Sequence, residues 1–144
     1  VRSLVNEEES FGLYDKKVFD DFALRARKVK AGFAKIVASF KDEGKRIVGV
    51  GAPARASTLL GFTRMDKDFI DYLAEKRGSL KIGLFTPGPH IPIVDEEILF
   101  KEQPECAVIL SWHIGEELMK KLRQLGYKGK FILPLPEPRI VDYV

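Results

Sequence analysis

Gly49-Val50-Gly51-Ala52-Pro53-Ala54 has the spacing G-x-G-x-x-G/A, directly after a short β-branched run and directly before a helical one. A turn of this kind lets backbone approach a phosphate. Gly49 permits a tight turn, Gly51 a close approach, and Ala54 close packing of helix on strand. Free amides and the positive end of the following helix then face the anion. Pro53 suits the first helical turn, where its missing N–H loses no partner. Arg55 adds a cation nearby and Ser57 a hydroxyl. The pattern alone is weak, since glycine-rich turns also serve packing. Glu75 stands near the end of the next strand, at the spacing of a ribose-binding carboxylate. It reads equally as a surface carboxylate beside Lys76 and Arg77.

Three further strings carry polar groups in unusual settings. In Phe85-Thr86-Pro87-Gly88-Pro89-His90-Ile91-Pro92-Ile93, prolines and a glycine hold a loop shape at low entropic cost. His90 within it either offers a hydrogen bond to a ligand or pins the loop backbone. Ser111-Trp112-His113 follows an apolar strand, at the end where open α/β sheets bind ligands. Trp112 is either a stacking platform or a buried packing residue. His113 is either a ligand hydrogen-bonding group or a residue at the start of a helix. Pro134-Leu135-Pro136-Glu137-Pro138-Arg139 closes the series, and its prolines argue against continuation of the sheet. Glu137 and Arg139 pair with each other or hold a ligand, and loop structure is the simpler use.

The elements that must position these groups follow from periodicity. Residues 1–14 read as a linker or short helix, and 15–144 as one domain. From 15 to 41, Phe19, Phe22, Ala26, Val29, Phe33, Ile36 and Phe40 step by three and four and line one helical face. Four phenylalanines in that stripe suit packing against a sheet. Strands are expected at 46–50, 69–73, 107–111 and 130–134. An irregular but ordered loop fills 76–92, with a short strand near 82–85. Asp95 caps a short helix, and a helix over 115–125 presents Leu118, Leu122 and Leu125 on one side. Strand and helix alternate. The expected fold is α/β, a Rossmann-like three-layer domain with a mostly parallel sheet, preceded by a long amphipathic helix.

Composition sets limits. The chain has 144 residues, 45% hydrophobic and 31% charged, ordinary for a globular domain with a real core. A net charge of +3 is too small for a nucleic-acid footprint. The basic run Arg25, Arg27, Lys28, Lys30 and Lys35 reads as a solvated helix face. The single cysteine, Cys106, lies in an apolar run and reads as a buried, inert thiol in a reducing, cytoplasmic setting. Metal-ligand spacing is absent. No apolar run is long enough to span a membrane. The initial Val1 reads as the start of a fragment or a processed product.

The four motif strings, in this order, resemble the C-terminal domain of SAM-dependent C-methyltransferases acting on nucleotide-linked deoxysugars. The resemblance is carried by Val50-Gly51-Ala52-Pro53-Ala54-Arg55, by Phe85-Thr86-Pro87-Gly88 with His90-Ile91-Pro92-Ile93, by Leu110-Ser111-Trp112, and by Pro134-Leu135-Pro136-Glu137-Pro138-Arg139. It implies a substrate-binding domain for a nucleotide-diphosphate sugar. In such enzymes S-adenosylmethionine sits on a separate domain, so the resemblance implies no cofactor in this fragment and no activity from it alone. It places the phosphate turn on Gly51, Ala52, Pro53, Ala54 and Arg55, and the pocket on Thr86, His90 and Trp112. The chain departs from the family pattern at Arg55-Ala56-Ser57, Glu75-Lys76-Arg77 and Ser111-Trp112-His113.

Two other readings stand beside it. Glu75 and the glycine turn suit a standalone NAD(P)- or nucleotide-binding oxidoreductase module. The phenylalanine-rich helix suits a non-catalytic module that docks a partner or a twin subunit.

Overall fold

A computed structural model describes residues 1–142. The domain expected over 15–144 therefore ends in Tyr143 and Val144, which lie outside the described residues. The chain opens with α1 (Arg2–Ser10), which buries none of its residues. Helix α2 (Lys16–Asp42) then runs for 27 residues. Its length is about 40 Å at 1.5 Å per residue. Strand β1 (Ile47–Val50) has four residues and spans only about 13 Å. The helix thus overhangs the sheet. Phe33, Val37 and Phe40 are buried, whereas Phe19 and Phe22 stay 59% and 64% exposed. The apolar stripe is real, but only its C-terminal half packs against the sheet.

The remaining elements are α3 (Ala54–Thr63), β2 (Leu73–Glu75), β3 (Ile93–Asp95), α4 (Glu97–Glu102), β4 (Cys106–Ile109), α5 (Gly115–Gln124), β5 (Lys130–Leu133) and β6 (Arg139–Val141). The strands form one sheet in the order β3-β2-β1-β4-β5-β6. All neighbours pair in parallel except β5 with β6. This is the strand order of a Rossmann-type sheet, so the expected α/β architecture holds.

Alternate residues of β1 face opposite sides, and both sides are covered. Ile47 joins Phe33, Val37 and Phe40 of α2 and Leu59 and Leu60 of α3 on one face. Val48 and Val50 join Leu99 of α4 and Met119 and Leu122 of α5 on the other. The four-residue strands β1 and β4 are buried throughout, as strands covered on both faces must be. Because β5 returns directly to β6, no crossover helix follows it. Helix α2, arriving before β1, touches both β1 and β6 and covers that part of the layer.

Several expected boundaries moved. Residues 69–73 were expected as a strand, but the Asp66 carbonyl accepts the N–H groups of Phe69 and Ile70 in a turn. Backbone bonding to β1 starts at Asp71, whose N–H donates to the Ile47 carbonyl, and the paired register starts at Leu73. Within 76–92, Gly83 donates to the Ile93 carbonyl and Ile93 to that of Leu84, folding this segment back along β3. Strand β3 itself was not anticipated, nor was β6. The proline string does interrupt the sheet, but Arg139-Ile140-Val141 pairs back onto Phe131, Ile132 and Leu133 once the prolines are passed. The Asp95 carboxylate accepts the Glu97 N–H at 2.9 Å, although Asp95 belongs to β3 and Glu96 is the N-cap of α4. In α5, Met119 is buried with Leu122, while Leu125, just past the end of the helix, is 51% exposed. Among the described residues no helix is long and apolar enough to cross a membrane.

Cys106 is fully buried, and burial pushes its thiol up to about 12. It should therefore fail to react with a thiol-specific disulfide reagent in the native protein near pH 8 and react fully in denaturant. Rapid native labelling would contradict this burial.

Candidate functional site

The chain leaves β1 toward α3 on one face of the sheet and leaves β4 toward α5 on the other. A crevice opens where neighbouring strands diverge in this way. Gly51 lies on one side of it and Ser111 on the other. Gly51 has φ +82°, and a Cβ added there would come within 2.7 Å of Ser111 Oγ. Two separate constraints, handedness and space, thus require glycine here. Gly49 has a different use from the one expected. It lies inside β1 rather than at a turn, and a Cβ there would meet Leu73 and Leu110. Ala54 is exposed at the head of α3, and the close helix–sheet packing is made by the buried Ala56.

The turn after Gly51 is held from both sides. The Ala52 N–H donates to Glu75 Oε2 at 2.7 Å. Lys81 Nζ donates to the Ala52 carbonyl at 2.8 Å and lies 4.0 Å from the same Glu75 oxygen. Pro53, the N-cap of α3, has no N–H, and no side chain caps the helix. Glu75 is therefore neither a free ribose-binding group nor a simple surface charge. Lys81 was not singled out from the sequence, because a lysine in an irregular loop carries no periodic or motif signal.

Beyond the turn, the Arg55 guanidinium stands over the Trp112 ring, 5.8 Å from its centroid. A cation–aromatic contact at an exposed site contributes about 0.5–1 kcal/mol. Trp112 is half-buried and packs against both core faces, which fixes the ring at the end of β4. Two cavities meet at it. One, of about 790 Å³, lies between α2 and α3 and includes Phe22, Val29, Arg55 and Phe62. The other, of about 580 Å³, lies over the start of α5 and includes His113, Glu116, Lys120 and Arg139. Leu135 and Pro136 wall both, which gives the proline string a place in the site. Ser57 is half-buried on the first turn of α3.

Thr86 and His90 are elsewhere. Residues 83–85 run antiparallel to β3, so the Thr86–His90 turn falls at the N-terminal end of the strands, opposite Gly51. Thr86 is buried. Its hydroxyl accepts the Ile91 N–H at 2.9 Å, its N–H donates to the Ile91 carbonyl, and its carbonyl accepts the His90 N–H. His90 adopts φ +57° and stacks on Phe85 with centroids 4.5 Å apart. These contacts of Thr86 and His90 hold their own loop. The structure thus brings Gly51, Ala52, Pro53, Ala54, Arg55, Trp112 and His113 to one end of the sheet and places Thr86 and His90 at the other. Among the described residues, no group of three or more His, Cys, Asp or Glu side chains is arranged to hold a metal.

The Gly51–Ser111 contact makes a quantitative prediction. Gly51→Ala should destabilise the domain by about 1–3 kcal/mol, from positive φ together with the clash. Adding Ser111→Gly should recover only the steric part. Denaturant unfolding of the two variants checks this, and full recovery would show that φ is unconstrained.

Comparison of the sequence with known proteins finds a family. Residues 1–136 match the family model described as the C-methyltransferase C-terminal domain. The chain is also 30% identical over 143 residues to the C-methyltransferase NovU of Streptomyces niveus. That alignment takes in 99% of this chain and 34% of NovU, so the chain spans about a third of its relative's length. With its strand order, glycine turn and proline strings in place, this chain belongs to the C-methyltransferase C-terminal domain family.

Proposed function

We propose that this domain, residues 15–144, holds a nucleotide-diphosphate sugar for a SAM-dependent C-methyltransferase whose methyl-transfer machinery lies on another part of the protein. The observation that carries the reading is the Arg55–Trp112 pair at the crevice, with a cavity on either side. A guanidinium suits a diphosphate, because its planar fork offers paired charge-assisted bonds. An indole face suits a base or sugar ring. His113 beside it offers a hydrogen bond to a hydroxyl.

Family membership and the similarity to NovU support methyl transfer as the wider activity. S-adenosylmethionine would supply the electrophilic methyl group. The described residues do not suit that donor. The carboxylate at the end of β2, from which a ribose would be held in this fold, is bonded to Ala52. The donor is therefore assigned outside this chain, together with the groups that move protons. The isolated chain is expected to bind substrate and transfer no methyl group. A cytoplasmic setting agrees with the single buried thiol.

The test is calorimetry on the full-length protein with SAM and with nucleoside-diphosphate deoxysugars. Binding of both is expected, and binding of neither overturns the proposal. Arg55→Ala should weaken the sugar nucleotide by about 1–3 kcal/mol, the range for a lost charge-assisted bond. Trp112 is the one tryptophan of this chain, so its fluorescence in the isolated domain should change on saturation with the ligand. Unchanged affinity in the Arg55 variant removes that residue from the site.

A further inference from the structure

A glycine turn of this type brings a dinucleotide diphosphate close to the backbone after its second glycine and to the N-terminus of the helix that follows. In this chain the two turn positions between the second glycine and α3 are Ala52 and Pro53. Pro53 has no N–H to give. The Ala52 N–H is taken at 2.7 Å by Glu75 Oε2, on a side chain only 18% exposed. Lys81 secures the same peptide by its carbonyl. The spacing of the turn is that of a dinucleotide site, yet neither turn position offers an amide to a ligand, so an anion is left with the start of α3 and the Arg55 side chain.

We infer that Glu75, together with Pro53, closes the glycine turn to a ligand diphosphate, so that the domain rejects NAD(P) and leaves diphosphate binding to the Arg55 side chain outside the turn. The second half of this statement rests on the function proposed above, and the first half does not. A phosphate on the Ala52 amide would need the place where the Glu75 oxygen sits. Two anions at that spacing also repel. In dinucleotide-binding domains the carboxylate at the end of the second strand serves the ribose. Here it has turned inward to the turn, so the group that would attract an NAD ribose is the one that excludes its diphosphate. A sugar nucleotide held by Arg55 and Trp112 does not meet this obstacle, since Arg55 is exposed on the far side of Pro53.

The experiment is an NADH fluorescence titration of the full chain and of its Glu75→Ala and Glu75→Gln variants, each first checked for a cooperative melt. Glu75→Ala frees the amide and removes the charge, and its NADH affinity should rise about tenfold or more over the parent chain. Glu75→Gln keeps an acceptor for the Ala52 N–H but removes the charge, so a smaller rise is expected. Equal NADH affinity in the parent chain and a folded Glu75→Ala variant overturns the inference. If Glu75→Ala does not fold, Glu75→Ser, too short to reach the Ala52 N–H, takes its place: a rise supports the closure and no change overturns it. Sugar-nucleotide binding is measured in parallel. It should survive Glu75→Ala and fall with Arg55→Ala, and equal losses in the two would show that Glu75 holds the ligand. A parent chain that binds no sugar nucleotide refutes the proposed function, while the NADH comparison still decides the role of Glu75.

Discussion

The crevice at the C-terminal end of the sheet depends on how two backbones approach and part at its centre. Strands β1 and β4 pair in parallel from Ile47–Cys106 to Val50–Ile109, and the chains then part toward opposite faces. At the parting, a Cβ on Gly51 would meet the Ser111 hydroxyl at 2.7 Å, while the Ser111 Cβ would stay at 3.6 Å. Together with its positive φ, this contact keeps glycine at the point where the chain turns toward Arg55, and Trp112 follows Ser111 on the other wall of the crevice.

Around that contact the domain divides its work between rigid and open parts. Trp112 touches the cores on both sides of the sheet, so it is a fixed platform rather than a mobile surface ring. The Ala52 peptide is fastened by Glu75 and Lys81, which draws the irregular segment after β2 onto the turn. The overhanging half of α2 is the open part. Its exposed Phe22 lines the larger cavity opposite Phe62 and Arg55. The same apolar stripe therefore serves as core in one half and cavity wall in the other, because the helix is about three times as long as the strands beneath it.

The elements readable from the sequence were those with strong local pattern. The β-branched run before Gly51, the apolar run at Cys106 and the three-and-four spacing of α2 each specify their own structure by periodicity. Strands β3 and β6 escaped because each has only three residues beside prolines, and Pro92 and Pro138 read locally as loop. Their strand character comes from partners, β2 for one and β5 for the other. The turn at Asp66 displaced β2 for a similar reason: Phe69-Ile70 is apolar enough for a strand, but its amides are already bonded to Asp66. The placement of Arg55, Trp112 and His113 at the C-terminal end of the sheet was readable because they follow strand ends. Thr86 and His90 were read into the same pocket from the family resemblance, and a sequence motif says nothing about which end of a sheet its loop reaches.

By itself the sequence determined the fold class, the α-helix that precedes it, the central strands and the family, because local periodicity and distinctive short strings carry all four. Only the tertiary structure decided what the glycine turn can do. The spacing of Gly49, Gly51 and Ala54 is the same whether the Ala52 amide is open or occupied. Its occupation depends on Glu75 and Lys81, 23 and 29 residues further along the chain. A hydrogen bond between such distant residues exists only once the sheet has brought the end of β2 alongside the end of β1.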